Sequence, residues 1–396
     1  MLKFTLLIFL SLFINTSTNA QYNTNVNYDK KHTIGLLVPL YLDSIYKGNN
    51  YRYGKKFPRF TLQGLEFIQG ANIAMDSFPL EGHLVETFVY DTKSTKSKID
   101  SLIFYHRLDS LDLLIGAVKD EEVNSLAEFA KDHRIPFVSV TYPNDAGIKN
   151  NPYYIIVNPT LKTHCESIFS LLLQNHSNDH IVLVRKSGSQ EDRVEDYFKN
   201  INYQDSIPLL HINTVLMDSN SNLIEKYLDS TKKNIIIGGS LDEDFAQNLV
   251  SALKKDTVKY HSILIGMPNW GGFNSFGKNI KNGLRDFPFY YTTYYFNEKN
   301  DSISKAIQYA YMKKYKGYPG DFAYKGFEIM YAFSRLIKEN SDDYFNNIMK
   351  EHSGTFSHFK FLSSGNESPI DEPDYYENKH LFFIKKINGK TSKSDF

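Results

Sequence analysis

The chain has 396 residues, and its 45 Lys and Arg are matched by 45 Asp and Glu. That length suits two or three domains with real cores, and the balanced charge points away from nucleic acid and from a polybasic membrane patch. With 41% hydrophobic and 23% charged residues, wholesale disorder is excluded. The one cysteine, Cys165, excludes an internal disulfide and a cysteine-rich zinc site. Aromatics reach 15%, with 28 Tyr and 29 Phe, which means either packing volume or a surface built for contact.

Lys3, the apolar run Phe4 to Ile14 and a polar stretch ending at Ala20 have the layout of a cleaved secretory signal peptide. The run is too short to span a bilayer, and no later stretch reaches about 18 apolar residues. The mature chain is therefore expected to begin at Gln21, to be periplasmic or otherwise exported, and to carry no transmembrane segment. Residues 21–32 read as a flexible lead-in.

His32 to Val38 reads as a buried strand stopped by Pro39, and 43–60 as a loop rich in Tyr, Lys, Asn and Gly. A helix over 61–78 follows, then a strand at 85–90, a helix at 94–107, a strand at 111–118, a helix at 120–133 and a strand at 136–140. Strands that are apolar throughout and alternate with helices indicate a parallel sheet covered on both faces. The rhythm pauses over 142–152, the expected first crossing between lobes. It resumes with a strand at 153–157 and further strands at 181–184, 209–214, 234–237 and 262–265, each followed or preceded by a helical stretch. The aromatic run Phe287 to Phe296 is strongly β-prone. Helices are expected at 303–315 and 322–337, and a closing β-pair at 357–361 and 381–386. The expected fold class is α/β: two doubly wound parallel-sheet lobes joined by a multi-crossing hinge. One lobe takes 33–142 with 292–340, and the other 153–290 with 341–396.

Motifs for the common chemistries are missing. No G-x-G-x-x-G follows a strand, and no phosphate loop, H-E-x-x-H or G-x-S-x-G occurs. The adjacent His164 and Cys165 lack further ligands at workable zinc spacing. The run Asp120-Glu121-Glu122 reads as compensation of a helix dipole. No enzyme activity, cofactor or metal is expected.

Several segments, in order, resemble the type I periplasmic binding protein family, in its branched-chain amino-acid receptor group. Ile34 to Pro39 resembles that family's first strand, Gln69 to Ala74 its first helix, and Val89 to Thr92 its second strand ending in Asp. Ile115-Gly116-Ala117 through Ile135 to Ser139 is similar to its strand, ligand loop, helix and next strand. Tyr324 to Glu328 resembles a late helix, and Gly354 to Phe361 with His380 to Lys390 the closing strands. The resemblance implies a small ligand held between two lobes, and an ABC-type transporter or an envelope protein complex as partner.

Carboxyl ends of parallel strands facing a cleft present backbone N–H groups and helix starts, which suit carboxylates. On that logic the first lobe offers Tyr41, Lys119, Thr141 and Tyr142, and the second Arg185, Ser240, Asp242 and Trp270. Each has a plainer role open to it. Lys119 holds an anion or faces solvent. Ser240 and Asp242 meet an ammonium group or cap a helix. Trp270 lines the cleft or packs a lobe edge. Where the family carries small hydroxyl residues, this chain has Ala117-Val118-Lys119. Two functions follow: an exported receptor for a small polar, amino-acid-like ligand, or a non-transport envelope subunit or sensor that uses the same fold to bind protein. An exposed aromatic patch near Tyr290 to Phe296 would favour the second.

Overall fold

Strands with no polar side to show water have to be covered on both faces, and here they pair into two separate sheets. The computed structural model describes residues 31–81, 84–203, 207–217, 221–255, 259–278, 283–339, 348, 352–365 and 372–394. The expected signal peptide and nearly all of the lead-in lie outside them.

The first sheet runs, edge to edge, Phe361–Ser364, Tyr375–Asn378, Tyr154–Ile156, Phe137–Ser139, Leu113–Gly116, His32–Val38 and Val85–Asp91. The second runs Lys390–Lys393, Phe382–Ile387, Phe289–Thr293, Ser262–Gly266, Asn234–Gly238, His180–Arg185 and Ile212–Leu216. Pairing is parallel through the centre of each sheet, and the late strands add antiparallel edges. Among the described residues the chain passes between sheets after Ile156, after Thr293 and after Asn378, which makes a three-stranded hinge.

These passages correct the expected lobe boundaries. Tyr154–Ile156 pairs with Phe137–Ser139 in the first sheet and does not open the second lobe. The stretch 142–152 is thus a helix-free connection within one sheet, and it reads as a crossing because it breaks the strand–helix rhythm. The expected closing β-pair also separates. Phe361–Ser364 pairs with Tyr375–Asn378 in the first lobe, whereas Phe382–Ile387 pairs with Phe289–Thr293 in the second. Helix 94–107 shortens to Ile99–Phe104, and the aromatic run is core: Phe289, Tyr291, Tyr294 and Tyr295 are all buried.

In the first lobe the long helices Leu62–Ser77 and Asp321–Glu339 cross at backbone distance, because each presents a glycine at the contact. A Cβ on Gly70 would strike the carbonyl of Ala323, and one on Gly326 the carbonyl of Phe67. In the second lobe Trp270 fills the end of the sheet, fully buried against Phe276 and Phe289. Gly238 and Gly266 leave the room its indole occupies.

Gly70→Ala forces backbone against backbone and should lower stability by about 1–3 kcal/mol. Gly272→Ala, where a Cβ meets nothing within 4 Å, should change little. Thermal unfolding of the two variants checks this, and equal midpoints would contradict the glycine contact.

Candidate functional site

A cavity of about 500 Å³ lies where the hinge meets both lobes. The first lobe contributes the loop Tyr142 to Asp145 and the ring of Tyr375. The loop leaves the carboxyl end of Phe137–Ser139 and is held by its own polar groups. Asn144 Oδ1 accepts the Ala146 amide at 2.8 Å, and Asp145 Oδ1 the Gly147 amide at 3.0 Å. Tyr375 donates its hydroxyl to Asp145 Oδ2 at 3.3 Å, which fixes the carboxylate at the cavity wall.

The first crossing supplies Asn158 to Lys162, where the helix Leu161–Asn175 begins. Thr160 caps that helix, its Oγ1 accepting the Thr163 amide at 3.4 Å. Two donors of this turn run back to the first lobe. The Thr160 amide and the Thr163 hydroxyl donate to Glu377 Oε1 at 2.7 and 2.8 Å, and Lys379 Nζ donates to Glu377 Oε2 at 2.6 Å. Glu377 is only 1% exposed.

The second lobe adds Gln190, Arg193 and Tyr197 from the helix Ser189–Asn202. Their spacing of three and four residues puts them on one face. Arg193 is exposed and takes part in none of the ion pairs found among the described residues. Lys162, also exposed, lies 3.8 Å from Glu166. His164 is buried at the cavity floor, its Nδ1 2.7 Å from Thr292 Oγ1. Burial pushes its imidazole down to about 3, so it is neutral at physiological pH. The neighbouring Cys165 turns into the second-lobe core, and burial pushes its thiol up, away from the reactive thiolate.

Of the eight residues expected from sequence, Tyr142 lines this cavity. Its hydroxyl donates to Asp120 Oδ1 at 3.2 Å. Thr141 sits beside it, its carbonyl accepting Asn158 Nδ2 at 2.9 Å. Tyr41 and Lys119 lie away from the cavity, Tyr41 in a left-handed turn with its ring edge on Phe60 and Lys119 in solvent. Arg185 is occupied by Asp192 at 2.6 Å and Glu195 at 2.8 Å. Ser240 is buried and donates to Glu191 at 2.6 Å. Asp242 caps the helix Glu243–Lys255 by accepting the Phe245 amide at 2.7 Å, and it pairs with Lys186. That amide and that lysine hold its carboxyl below the usual range. Trp270 donates its indole N–H to the Ser240 carbonyl at 2.8 Å inside the core.

The strand-end rule therefore points to loops that border the cavity, and mostly to residues in them that do not line it. Leu241, between Ser240 and Asp242, lines the cavity, and so does Asn269, next to Trp270. Arg193 sits a turn inside the helix that follows His180–Arg185, beyond the strand end itself. Its signal is the helical stripe Gln190-Arg193-Tyr197. Among the described residues no group of three or more His, Cys, Asp or Glu is placed to hold a metal, and no helix is long and apolar enough to cross a membrane.

The fold and this inter-lobe site define a class of two-lobed binding proteins. The family model described as periplasmic binding protein matches residues 60–357, and the chain belongs to that family. Similar solved structures include a putative branched-chain amino acid ABC transporter protein from Rhodospirillum rubrum, 12% identical with a TM-score of 0.65, with 92% of this chain and 100% of that one covered. An ABC transporter substrate-binding protein from Desulfitobacterium hafniense, in complex with Leu, is 11% identical with a TM-score of 0.57, at 92% and 100% coverage. A solute-binding protein of an ABC transporter from Rhodopseudomonas palustris, in complex with 3,4-dihydroxybenzoic acid, is 13% identical with a TM-score of 0.51, at 92% and 96% coverage. No curated protein sequence matches the chain.

His164 gives the site a pH signature. With a folded value near 3 against an ordinary 6.5, the unfolded chain binds more protons between those limits. The stability is complete above about pH 6.5 and is lost as the pH falls toward 3, at up to about 1.4 kcal/mol per pH unit. His164→Asn should flatten the fall of the unfolding midpoint with acidification below neutral. Parallel curves for the two proteins would refute the assignment.

Proposed function

We propose that this chain is an exported solute receptor that captures a small, amino-acid-like molecule between its lobes and delivers it to an ABC-type permease. The observation that carries this reading is the cavity, which both lobes and two hinge segments line together. Its volume of about 500 Å³ falls within the rough range of 300–1,000 Å³ for small-molecule sites. Arg193, without an ion-pair partner among the described residues, suits a carboxylate, which a guanidinium grips through two parallel hydrogen bonds. Asp145, already positioned by Tyr375, suits an ammonium group. Tyr142 and Tyr197 flank the space. The two ligands named for the similar structures, Leu and 3,4-dihydroxybenzoic acid, both carry a carboxylate. Closing the lobes would exclude water and strengthen each of these contacts. A signal peptide cleaved after Ala20 would place the receptor outside the cytoplasm. The proposed role is binding and not catalysis, with no cofactor.

One observation favours the second reading, an envelope subunit or sensor. The loop after Leu113–Gly116 offers Ala117, a buried Val118 and an exposed Lys119, with no hydroxyl for a ligand. In the receptor reading the first lobe grips through residues 142–145 instead.

Thermal unfolding of refolded mature chain against amino acids, aromatic acids, sugars and nucleosides separates the two. A ligand at a hundred times its dissociation constant adds about 2.7 kcal/mol, a rise of several degrees. A saturable rise with a carboxylate-bearing class, weakened about tenfold or more by Arg193→Ala, is the expected result. No rise across the panel would defeat solute capture and favour the envelope subunit.

A further inference from the structure

Residues 46–60, Tyr-Lys-Gly-Asn-Asn-Tyr-Arg-Tyr-Gly-Lys-Lys-Phe-Pro-Arg-Phe, hold five cations and no acid. In a chain whose charges cancel, this is a local excess that whole-chain composition hides. The segment forms a two-stranded tip, Tyr46–Lys47 paired with Asn50–Tyr51 and turned at Gly48, followed by a second turn at Gly54 and the short helical turn Arg59–Thr61. Lys47, Arg52, Lys55, Lys56 and Arg59 are all exposed, and none enters the ion pairs found among the described residues. Tyr46, Tyr53, Phe57 and Phe60 are also exposed, by 40–50%. Apart from Phe57, these rings join a series: Tyr46 on Tyr51 at 5.6 Å, Tyr51 on Tyr53 at 6.1 Å, Tyr53 on Phe60 at 6.2 Å, and Phe60 on Tyr41 at 5.2 Å.

The base of this tip is fixed. Asp91 accepts the amides of Leu40, Tyr41 and Leu42 at 2.7–3.0 Å. Asp43 is held by Ser94 and by the amide and hydroxyl of Thr95, and it forms no ion pair with the five cations among the described residues. The fold thus displays rings and cations side by side on a tethered projection, which costs exposed apolar surface that a globular protein ordinarily hides.

We propose that residues 41–60 dock the protein on an anionic lipid surface, with the rings seated at headgroup level and the five cations on the phosphates. Interleaved aromatic and basic residues are the composition of membrane interfaces. Three of the cations are lysines, which protein–protein interfaces avoid, and this favours lipid over an acidic protein face. The proposal is independent of what the cleft binds.

Co-sedimentation of the mature chain with phosphatidylcholine vesicles, with or without phosphatidylglycerol, tests it. The expected result is binding to the anionic vesicles alone, falling as salt screens the charges. The triple variant Lys47→Gln, Lys55→Gln, Lys56→Gln should bind about a hundredfold more weakly. A second variant, Phe57→Ser with Phe60→Ser, should also bind more weakly with its charge intact. The lysine variant should keep the parent unfolding midpoint, since its changed side chains are exposed, and the phenylalanine variant is read well below its own midpoint because Phe60 also packs on Tyr41. No binding to anionic vesicles, or equal binding by parent and both variants, overturns the proposal. Retention on immobilised polyglutamate without vesicle binding also overturns it, and assigns the patch to an acidic protein.

Discussion

A carboxylate cut off from water has to find its donors in the protein, and Glu377 finds them on both sides of the hinge. It belongs to the first sheet, yet it accepts the first amide and a hydroxyl from the helix that opens the second lobe. Leaving such a group unpaired would cost far more than the pair contributes. The start of Leu161–Asn175 is therefore held to the strand Tyr375–Asn378, and the corner of the cleft inherits that geometry. Tyr375 on the same strand carries the restraint to Asp145, so one strand sets both the crossing and the wall of the cavity.

The second lobe shows how a site and a core compete for the same loops. Ser240, Asp242 and Trp270 all stand at strand ends, where a ligand is expected, and each is occupied with structure. Ser240 satisfies the buried Glu191, Asp242 caps a helix, and Trp270 plugs the sheet against two glycines. The residues that line the cavity are their neighbours Leu241 and Asn269, together with one face of the helix Ser189–Asn202.

What sequence made legible follows from the same physics. Runs such as Leu113–Gly116 and the Ile235 to Gly238 stretch of the strand Asn234–Gly238 are apolar at every position because both faces are covered, and that pattern alone implies a parallel sheet between helices. Which sheet a strand joins is not local information. Tyr154–Ile156 has the same composition in either lobe, and only its pairing partner decides. Side-chain direction at loop positions is equally non-local, so Arg185 and Arg193 look alike until Asp192 and Glu195 are seen to claim the first. The basic tip is local in sequence, but a balanced total obscures it.

Cys165 carries a practical consequence. Its thiol is enclosed and held in its protonated form, so the native chain offers thiol reagents almost nothing. A cysteine placed at Asn144 on one lip of the cleft, and another at Gln190 on the other, would be the two reactive sites. Paired labels there would report the gap between the lobes directly, without first removing a natural thiol.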